Sequence, residues 1–334
     1  MALQEWYDNV TNNIAEKQSY DSYDMDRVSS IGERLSNFVM SAYLRSRGTM
    51  SHFVPADELI VTCGTHGDAE PDLQATRDRV AQHLEPLLRD SVPCVTGFFG
   101  AGPNGKITTF GRGGSDLTAA VLSNTLRDVD EMILWKVECE KRDDGWLKEW
   151  KPGFTGVVHD ADVEYTIPEL SYDDAAQLAA FGKKVLHPST VFPAIEKDIP
   201  VYVKNTIDPE HPGTKIHSDV DTEAQPVSSI TKAEFNFCEQ KHEIQMGDFD
   251  WSNLGVGPDE AGVVVLVGEG VYRSVELRKK ISAVLDENNI NKHFPVRVNG
   301  SENNFCVVVP KADMKPAVKL LHKHIIGYSE PESE

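Results

Sequence analysis

The densest chemistry in the chain lies in six consecutive residues, Gly111-Arg-Gly-Gly-Ser-Asp116. They follow the strand-like Ile107-Thr-Thr109 and open a helix expected over 117–127. Glycines let the backbone turn tightly and aim N–H groups at a ligand. The positive end of a following helix favours an anion there. Arg112 can hold a carboxylate through two parallel hydrogen bonds, and Ser115 adds a donor. Asp116 can orient a reacting group. The same segment also reads as a plain strand-to-helix turn in which Asp116 is the cap.

Two further segments carry charge in suggestive places. In Ser30-Ile-Gly-Glu-Arg-Leu-Ser36, a glycine inside a helical pattern costs about 1 kcal/mol against alanine, which implies a packing or functional reason. Close approach at Gly32 would leave Glu33 facing an ammonium group. The other reading is an exposed Glu33–Arg34 surface pair. In Phe181-Gly-Lys-Lys-Val-Leu-His-Pro188, Lys183 or Lys184 can meet a phosphate as a point charge. Solvated lysines at a helix end fit the same residues, and His187 reads as a packed residue.

The elements that must position these residues follow from periodicity and punctuation. Residues 1–50 read as helical, with Ile31, Leu35, Phe38, Val39, Ala42 and Tyr43 forming an apolar face and Gly48 the stop. Strands are expected over 58–63, 93–100, 107–110, 131–138 and 199–204, with a hairpin turn at Pro103-Asn104-Gly105. A helix is expected over 72–90, and Ser171 is the N-cap of another. Residues 139–153 read as an irregular insertion. This alternation predicts an α/β domain with a largely parallel sheet over residues 1–216. A linker over 217–230 leads to a smaller α+β unit over 231–328, in β-α-β-β-α order, with an acidic tail at 329–334.

The 334 residues carry a formal charge of −20. Such a surface argues against nucleic acid and against anionic membranes as partners, since both require clustered Lys and Arg. No apolar run reaches membrane-spanning length and the N-terminus has no signal or transit pattern, so a cytoplasmic location is expected. Cys63, Cys94, Cys139, Cys238 and Cys306 are widely spaced without a CxxC pair, which predicts neither a metal site nor a disulfide framework. Most are expected to be buried.

Taken together the segments resemble the aspartate kinases of the amino-acid kinase superfamily. Ser-Ile-Gly-Glu-Arg-Leu-Ser (30–36), Gly-Phe-Phe-Gly (97–100), Ile-Thr-Thr-Phe-Gly-Arg-Gly-Gly-Ser-Asp (107–116) and Ile-Pro-Glu-Leu-Ser-Tyr-Asp-Asp-Ala-Ala (167–176) occur in family order. Phe-Gly-Lys-Lys-Val-Leu-His-Pro (181–188) and Pro-Val-Tyr-Val-Lys-Asn-Thr (200–206) follow. The C-terminal unit is similar to the last ACT domain of these enzymes.

The resemblance implies an amino-acid-kinase-like (carbamate-kinase-like) sandwich lacking its first β-α-β unit, plus a ferredoxin-like ACT domain. The implied reaction is transfer of the ATP γ-phosphoryl, with Mg2+, to the side-chain carboxylate of L-aspartate, which feeds lysine, threonine and methionine biosynthesis. It places Arg112 on the substrate α-carboxylate and Glu33 on its ammonium group, with Phe98, Thr109 and Ser115 around them. Asp116 and Lys184 become catalytic, and Gly113, Gly114, Trp135, Lys136 and Lys184 nucleotide-binding. A homodimer is implied, with an amino-acid effector at the ACT domain and a weak or absent response to lysine.

Three departures from the family pattern stand out. No Lys-Phe-Gly-Gly-Thr-Ser loop occurs, so an N-terminally shortened or divergent member is expected. Leu134-Trp135-Lys136-Val137-Glu138-Cys139 lacks the family's Asp-Val-Asp-Gly continuation. Only one full ACT module is present. These departures keep two other readings open: a catalytically impaired paralogue that binds aspartate as a regulatory or partner subunit, and a different reaction on an aspartate-like ligand.

Overall fold

The computed structural model describes residues 3–15, 19–136, 159–160, 165–181, 188–221, 226–234, 244–245, 254–298 and 301–327. The chain divides into two compact units: Met1–Met132 with Leu186–Ile199, and Ile133–Val185 with Pro200–Glu334.

In the first unit, α1 (Leu3–Ala15) is followed by α2 (Ser22–Ser46). A capping box starts α2: the Asp24 N–H donates to Asp21 Oδ1 at 2.9 Å and the Asp21 N–H to Asp24 Oδ2 at 3.2 Å. Such reciprocal bonds satisfy two backbone donors that the helix leaves unpaired. Gly48, at φ 88°, follows the helix end as expected.

The face that α2 buries is not the one its periodicity suggests. Asp24, Asp26, Ser30, Arg34 and Ser41 point inward, whereas Leu35, Phe38, Val39 and Tyr43 are 42–65% exposed. The buried polar groups have partners. Arg34 pairs with Asp57 at 2.7 Å and lies 4.9 Å from the Phe99 ring centroid. Asn37 donates to the Val95 carbonyl at 2.8 Å.

Strand β1 (Ser51–Val54) pairs in parallel with β2 (Val92–Val95). Residues 58–63 are not the expected strand: α3 (Ala56–Leu59) occupies their start, and only isolated bridges at Val61 and Thr62 follow. The helix expected over 72–90 is α4 (Leu73–Arg79), continued by a wider turn over Val80–Leu84 and a 3-10 turn over Leu87–Arg89. The strand expected over 93–100 is split into β2 and β3 (Phe99–Ala101), because Phe98 takes a left-handed conformation at φ 78°. β3 and β4 (Ile107–Thr109) form the expected hairpin, with Phe99 opposite Thr109 and Gly105 at φ 68° in the turn. Then comes α5 (Gly114–Thr125). Leu59, Ile60, Val80, Leu84, Phe99, Phe110 and Val121 fill the core of this unit.

In the second unit β5 (Met132–Lys136), β6 (His159–Asp160), β7 (Tyr165–Thr166) and β8 (Glu169–Leu170) precede α6 (Tyr172–Ala180), which Ser171 caps as expected. Helix α7 (Pro188–Glu196) belongs to the first unit, where Asn124 of α5 donates to the Pro193 carbonyl. Strands β9 (Val201–Asn205) and β10 (Thr214–Ile216) complete a sheet of order β5-β9-β10-β8. Its β9–β10 pair is antiparallel and its β8–β10 pair parallel. The sheets of residues 1–216 are therefore short and mixed, not largely parallel.

The C-terminal part contains β11 (Ser229–Glu234), β12 (Ile244–Gln245), β13 (Ala261–Val267), α8 (Val275–Glu287), β14 (His293–Val298), β15 (Asn304–Pro310) and α9 (Met314–Leu321). Sheet order is β11-β13-β15-β14-β12. Every residue of β13 is buried. That requires a central strand covered on both faces, which explains its unbroken apolar run. β13-α8-β14-β15-α9 reproduces the β-α-β-β-α order read from the sequence.

Candidate functional site

The glycine-rich loop emerges from β4 and ends in α5. Gly111 and Gly113 both take positive φ, 70° and 78°. They place Arg112, which is exposed, at the loop's outermost position. Gly113 is the N-cap of α5, in the left-handed conformation and with no side-chain cap. Helix α5 thus begins at Gly114, earlier than the sequence suggests, and Ser115 and Asp116 fall in its first turn. Asp116 is therefore not the cap. It is a first-turn acid, which the helix dipole favours.

The loop is packed tightly enough to require its glycines. A Cβ on Gly114 would lie 2.9 Å from Phe98 Cδ2 and 3.2 Å from Phe98 Cα. One on Gly97 would lie 2.9 Å from Ser115 Oγ. The left-handed Phe98 is held by its N–H, which donates to Thr118 Oγ1 at 2.9 Å, and by its carbonyl, which accepts from the Phe110 N–H at 2.9 Å. Phe98, Thr109, Arg112, Gly113, Gly114, Ser115 and Asp116 thus come together on β4, the loop and the α5 terminus.

Glu33 joins them from α2. It is half-buried, and Ser115 Oγ makes a long contact of 3.5 Å to its Oε1. Its sequence neighbour Arg34 turns the other way, into the core pair with Asp57. The surface Glu33–Arg34 pair is thereby overturned, since adjacent helical residues do not share a face. The expected close approach at Gly32 is overturned too: a Cβ there would meet nothing within 4 Å. Gly32 lies on the outward side of α2, away from β4.

Of the other sequence candidates, Trp135 and Lys136 lie on β5 in the second unit. Trp135 is 48% exposed, with Lys204 Nζ 5.8 Å from its ring centroid. The Lys136 carbonyl accepts from the Thr206 N–H at 3.0 Å. Lys183, Lys184, His187, Cys139, Cys238 and the 139–153 segment lie outside the described residues. Cys63 is exposed rather than buried, and Cys306 is buried as expected.

Two residues beside the loop escaped the sequence reading. Asp26 is 3% exposed. Its Oδ1 accepts from Thr109 Oγ1 at 2.6 Å, and its Oδ2 lies 2.6 Å from His66 Nδ1. A signal for Asp26 did exist: it stands seven residues before Glu33, on the same face of α2. His66 sits in a loop between Gly64 and Gly67, both at positive φ, and nothing local marks it.

The arrangement brings a carboxylate to a hydroxyl at a helix N-terminus, with an exposed arginine in the adjoining loop. Opposite charges so placed suit a zwitterionic ligand.

Residues 3–137 match the amino acid kinase family and residues 264–325 the ACT domain. The chain is 26% identical to the lysine-sensitive aspartokinase 3 of Escherichia coli, over 90% of this chain and 75% of that protein. It is 38% identical to the chloroplastic aspartokinase 1 of Arabidopsis thaliana, over 61% of this chain but only 34% of that one. The chain thus spans about three quarters of the first relative and about a third of the second. The crystal structure of E. coli aspartokinase III in complex with aspartate and ADP shares the fold, with TM-score 0.70 and 23% identity over 97% of this chain and 81% of that one. The chain joins an amino-acid kinase fold to a C-terminal ACT domain, the architecture of the aspartate kinases to which it is similar.

Proposed function

We propose that this protein transfers the γ-phosphoryl group of ATP to the side-chain carboxylate of L-aspartate, giving 4-phospho-L-aspartate and ADP. The observation that supports the reading is Glu33 reaching Ser115 at the end of a glycine-rich loop that carries the exposed Arg112. An amino acid needs one anion clamp and one cation partner, and these two residues supply them. Arg112 takes the α-carboxylate by paired hydrogen bonds and Glu33 takes the ammonium group. Thr109 and Ser115 flank the ligand, and Phe98 lines the loop from beneath.

The substrate's side-chain carboxylate is the nucleophile, so no proton has to be removed. One of its oxygens bonds to the γ-phosphorus while the bond to the β-phosphate oxygen breaks, leaving ADP. Phosphoryl transfer of this kind depends mainly on positioning and charge neutralisation. Asp116 orients the acceptor from the first turn of α5, and Lys184 neutralises charge on the nucleotide side. Gly113 and Gly114 offer backbone N–H groups, and Trp135 and Lys136 are the nucleotide residues of β5.

Magnesium fits as the companion of the nucleotide. Among the described residues no group of three His, Cys, Asp or Glu side chains could hold a metal, and Mg2+ is commonly held by phosphates and one or two carboxylates. Bound so, it would supply charge neutralisation at the phosphates of the nucleotide. The assembly we propose is a homodimer whose ACT domain takes an amino-acid effector.

Calorimetry and an aspartate-dependent ADP assay test the reading. Wild type is expected to bind both aspartate and MgATP and to turn over, and Arg112→Ala to lose aspartate binding. Aspartate binding without nucleotide binding would refute the kinase reading. Unchanged aspartate affinity in Arg112→Ala would refute the site assignment.

A further inference from the structure

We infer that Asp26 is a positioning residue for the substrate loop, acting through Thr109 and His66. This rests on the function proposed above only for the identity of the ligand.

Asp26 and Glu33 are seven residues apart on α2, about 10.5 Å along the axis at 1.5 Å per residue. They meet opposite ends of the glycine-rich loop. Asp26 takes Thr109 Oγ1 at 2.6 Å, at the last residue of β4. Glu33 faces Ser115, in the first turn of α5. A single rigid helix thus holds both ends of the segment that presents Arg112.

The second oxygen of Asp26 is not idle. It lies 2.6 Å from His66 Nδ1, within hydrogen-bond distance. The Tyr23 ring, 5.6 Å away between centroids, packs against His66. His66 anchors the loop that runs from Gly64 to Ala69, and this loop in turn braces the substrate loop. The Ala69 N–H donates to the Thr109 carbonyl at 2.9 Å. A Cβ on Gly111 would come 2.8 Å from the Gly67 carbonyl oxygen, so the two loops lie in direct backbone contact.

One buried carboxylate therefore ties three elements together: α2, the end of β4 and the bracing loop. Its two oxygens engage two different partners, Thr109 and His66. Removing one partner would leave the other polar groups buried and unsatisfied, which costs more than a hydrogen bond is worth. The consequence falls on the loop backbone three residues after Thr109, where Arg112 must be aimed.

The test uses the full chain with Asp26→Asn, Thr109→Val and Thr109→Ser. Asparagine keeps the size of Asp26 but removes its charge and one of its two acceptor oxygens. Amide hydrogen exchange over residues 108–115 reads the loop directly, without any ligand. It is expected to quicken about tenfold in Asp26→Asn and Thr109→Val and to stay near wild type in Thr109→Ser. Aspartate affinity is expected to fall about tenfold in Asp26→Asn, with ATP affinity within about twofold of wild type. Combining Asp26→Asn with Thr109→Val should be less than additive, since both changes act on one connected network.

Unchanged exchange in Asp26→Asn, or equal losses of aspartate and ATP affinity, overturns the inference. Should Asp26→Asn fail to fold, the Val and Ser variants at Thr109 decide the matter by exchange. A wild-type chain that binds no aspartate refutes the proposed function and leaves the exchange comparison to judge Asp26.

Discussion

Two single residues show how local surroundings set chemistry here. Hydrogen bonding from Thr65, by side chain and then backbone, and from the Glu70 N–H holds the Cys63 thiol below its ordinary value. Cys63 is also exposed, whereas Cys306 is buried. Iodoacetamide under native conditions should therefore label Cys63 well before Cys306, and peptide mass spectrometry will show the order. Asp174 is the opposite case. It is fully buried, and desolvation pushes its carboxyl up, against hydrogen bonds from Ser228 and Ser171 that pull it down. A raised folded-state value means that stabilisation is complete below the unfolded-state value of about 3.9 and is lost as pH rises through the folded-state value. Asp174→Asn cannot ionise, so its melting temperature should decline less than that of wild type between about pH 4 and 7. Parallel pH profiles would show that Asp174 titrates as it does in the unfolded chain.

At the level of elements, two glycines in helices make contrasting predictions. Alanine is favoured over glycine in a helix by about 1 kcal/mol. At Gly32 nothing opposes that gain, because the added Cβ meets nothing within 4 Å. Gly32→Ala should raise stability by about 0.5–1 kcal/mol in denaturant melts. At Gly114, the first residue of α5, the same Cβ meets the Phe98 ring at 2.9 Å, Phe110 Cβ at 3.0 Å and the Phe98 backbone at 3.2 Å. Rotating the ring does not relieve the backbone contact, so overpacking outweighs propensity. Gly114→Ala should cost about 1–3 kcal/mol and weaken aspartate binding, as read by melts and calorimetry. The helices also mark the limit of pattern reading. The 3.6-residue period correctly yields a long α2 ending before Gly48, but the period cannot say which face lies inward. Asp26 and Arg34 are buried, and Asn37 half-buried, because Thr109, Asp57 and the Val95 carbonyl await them.

For the whole molecule, the large negative charge bears on solubility and not on fold. Among the described residues no helix is long and apolar enough to cross a membrane. The ACT domain holds its own core, built on Val264, Leu266, Phe305, Val307 and Val318. It is joined to α6 within the second unit by the Asn304–Gln177 hydrogen bond at 2.9 Å. The reading of one full ACT module, where residues 264–325 match the ACT domain, underlies the expectation of a weak lysine response. Lysine at modest concentration should leave the melting temperature within about 1 °C of its ligand-free value, since stabilisation by a ligand grows only with its excess over the dissociation constant. A clear upward shift would overturn that expectation.

What the sequence by itself determined is local in origin. The β3–β4 hairpin follows from its Pro-Asn-Gly turn, and the ACT order from alternating apolar runs and helical patterns. The substrate loop follows from glycines that must adopt positive φ. These features depend on neighbours within a few residues, so composition and spacing suffice to read them. Tertiary structure alone decided which side chains reach that loop. Asp26 and Thr109 lie 83 positions apart, and Glu33 and Ser115 lie 82 apart. Whether Glu33 or Arg34 meets the loop depends on how α2 is rotated against β4, and that rotation is set by burying a hydrogen-bonded polar face. No periodicity in the chain encodes it, because the stabilising partners of that face come from distant segments.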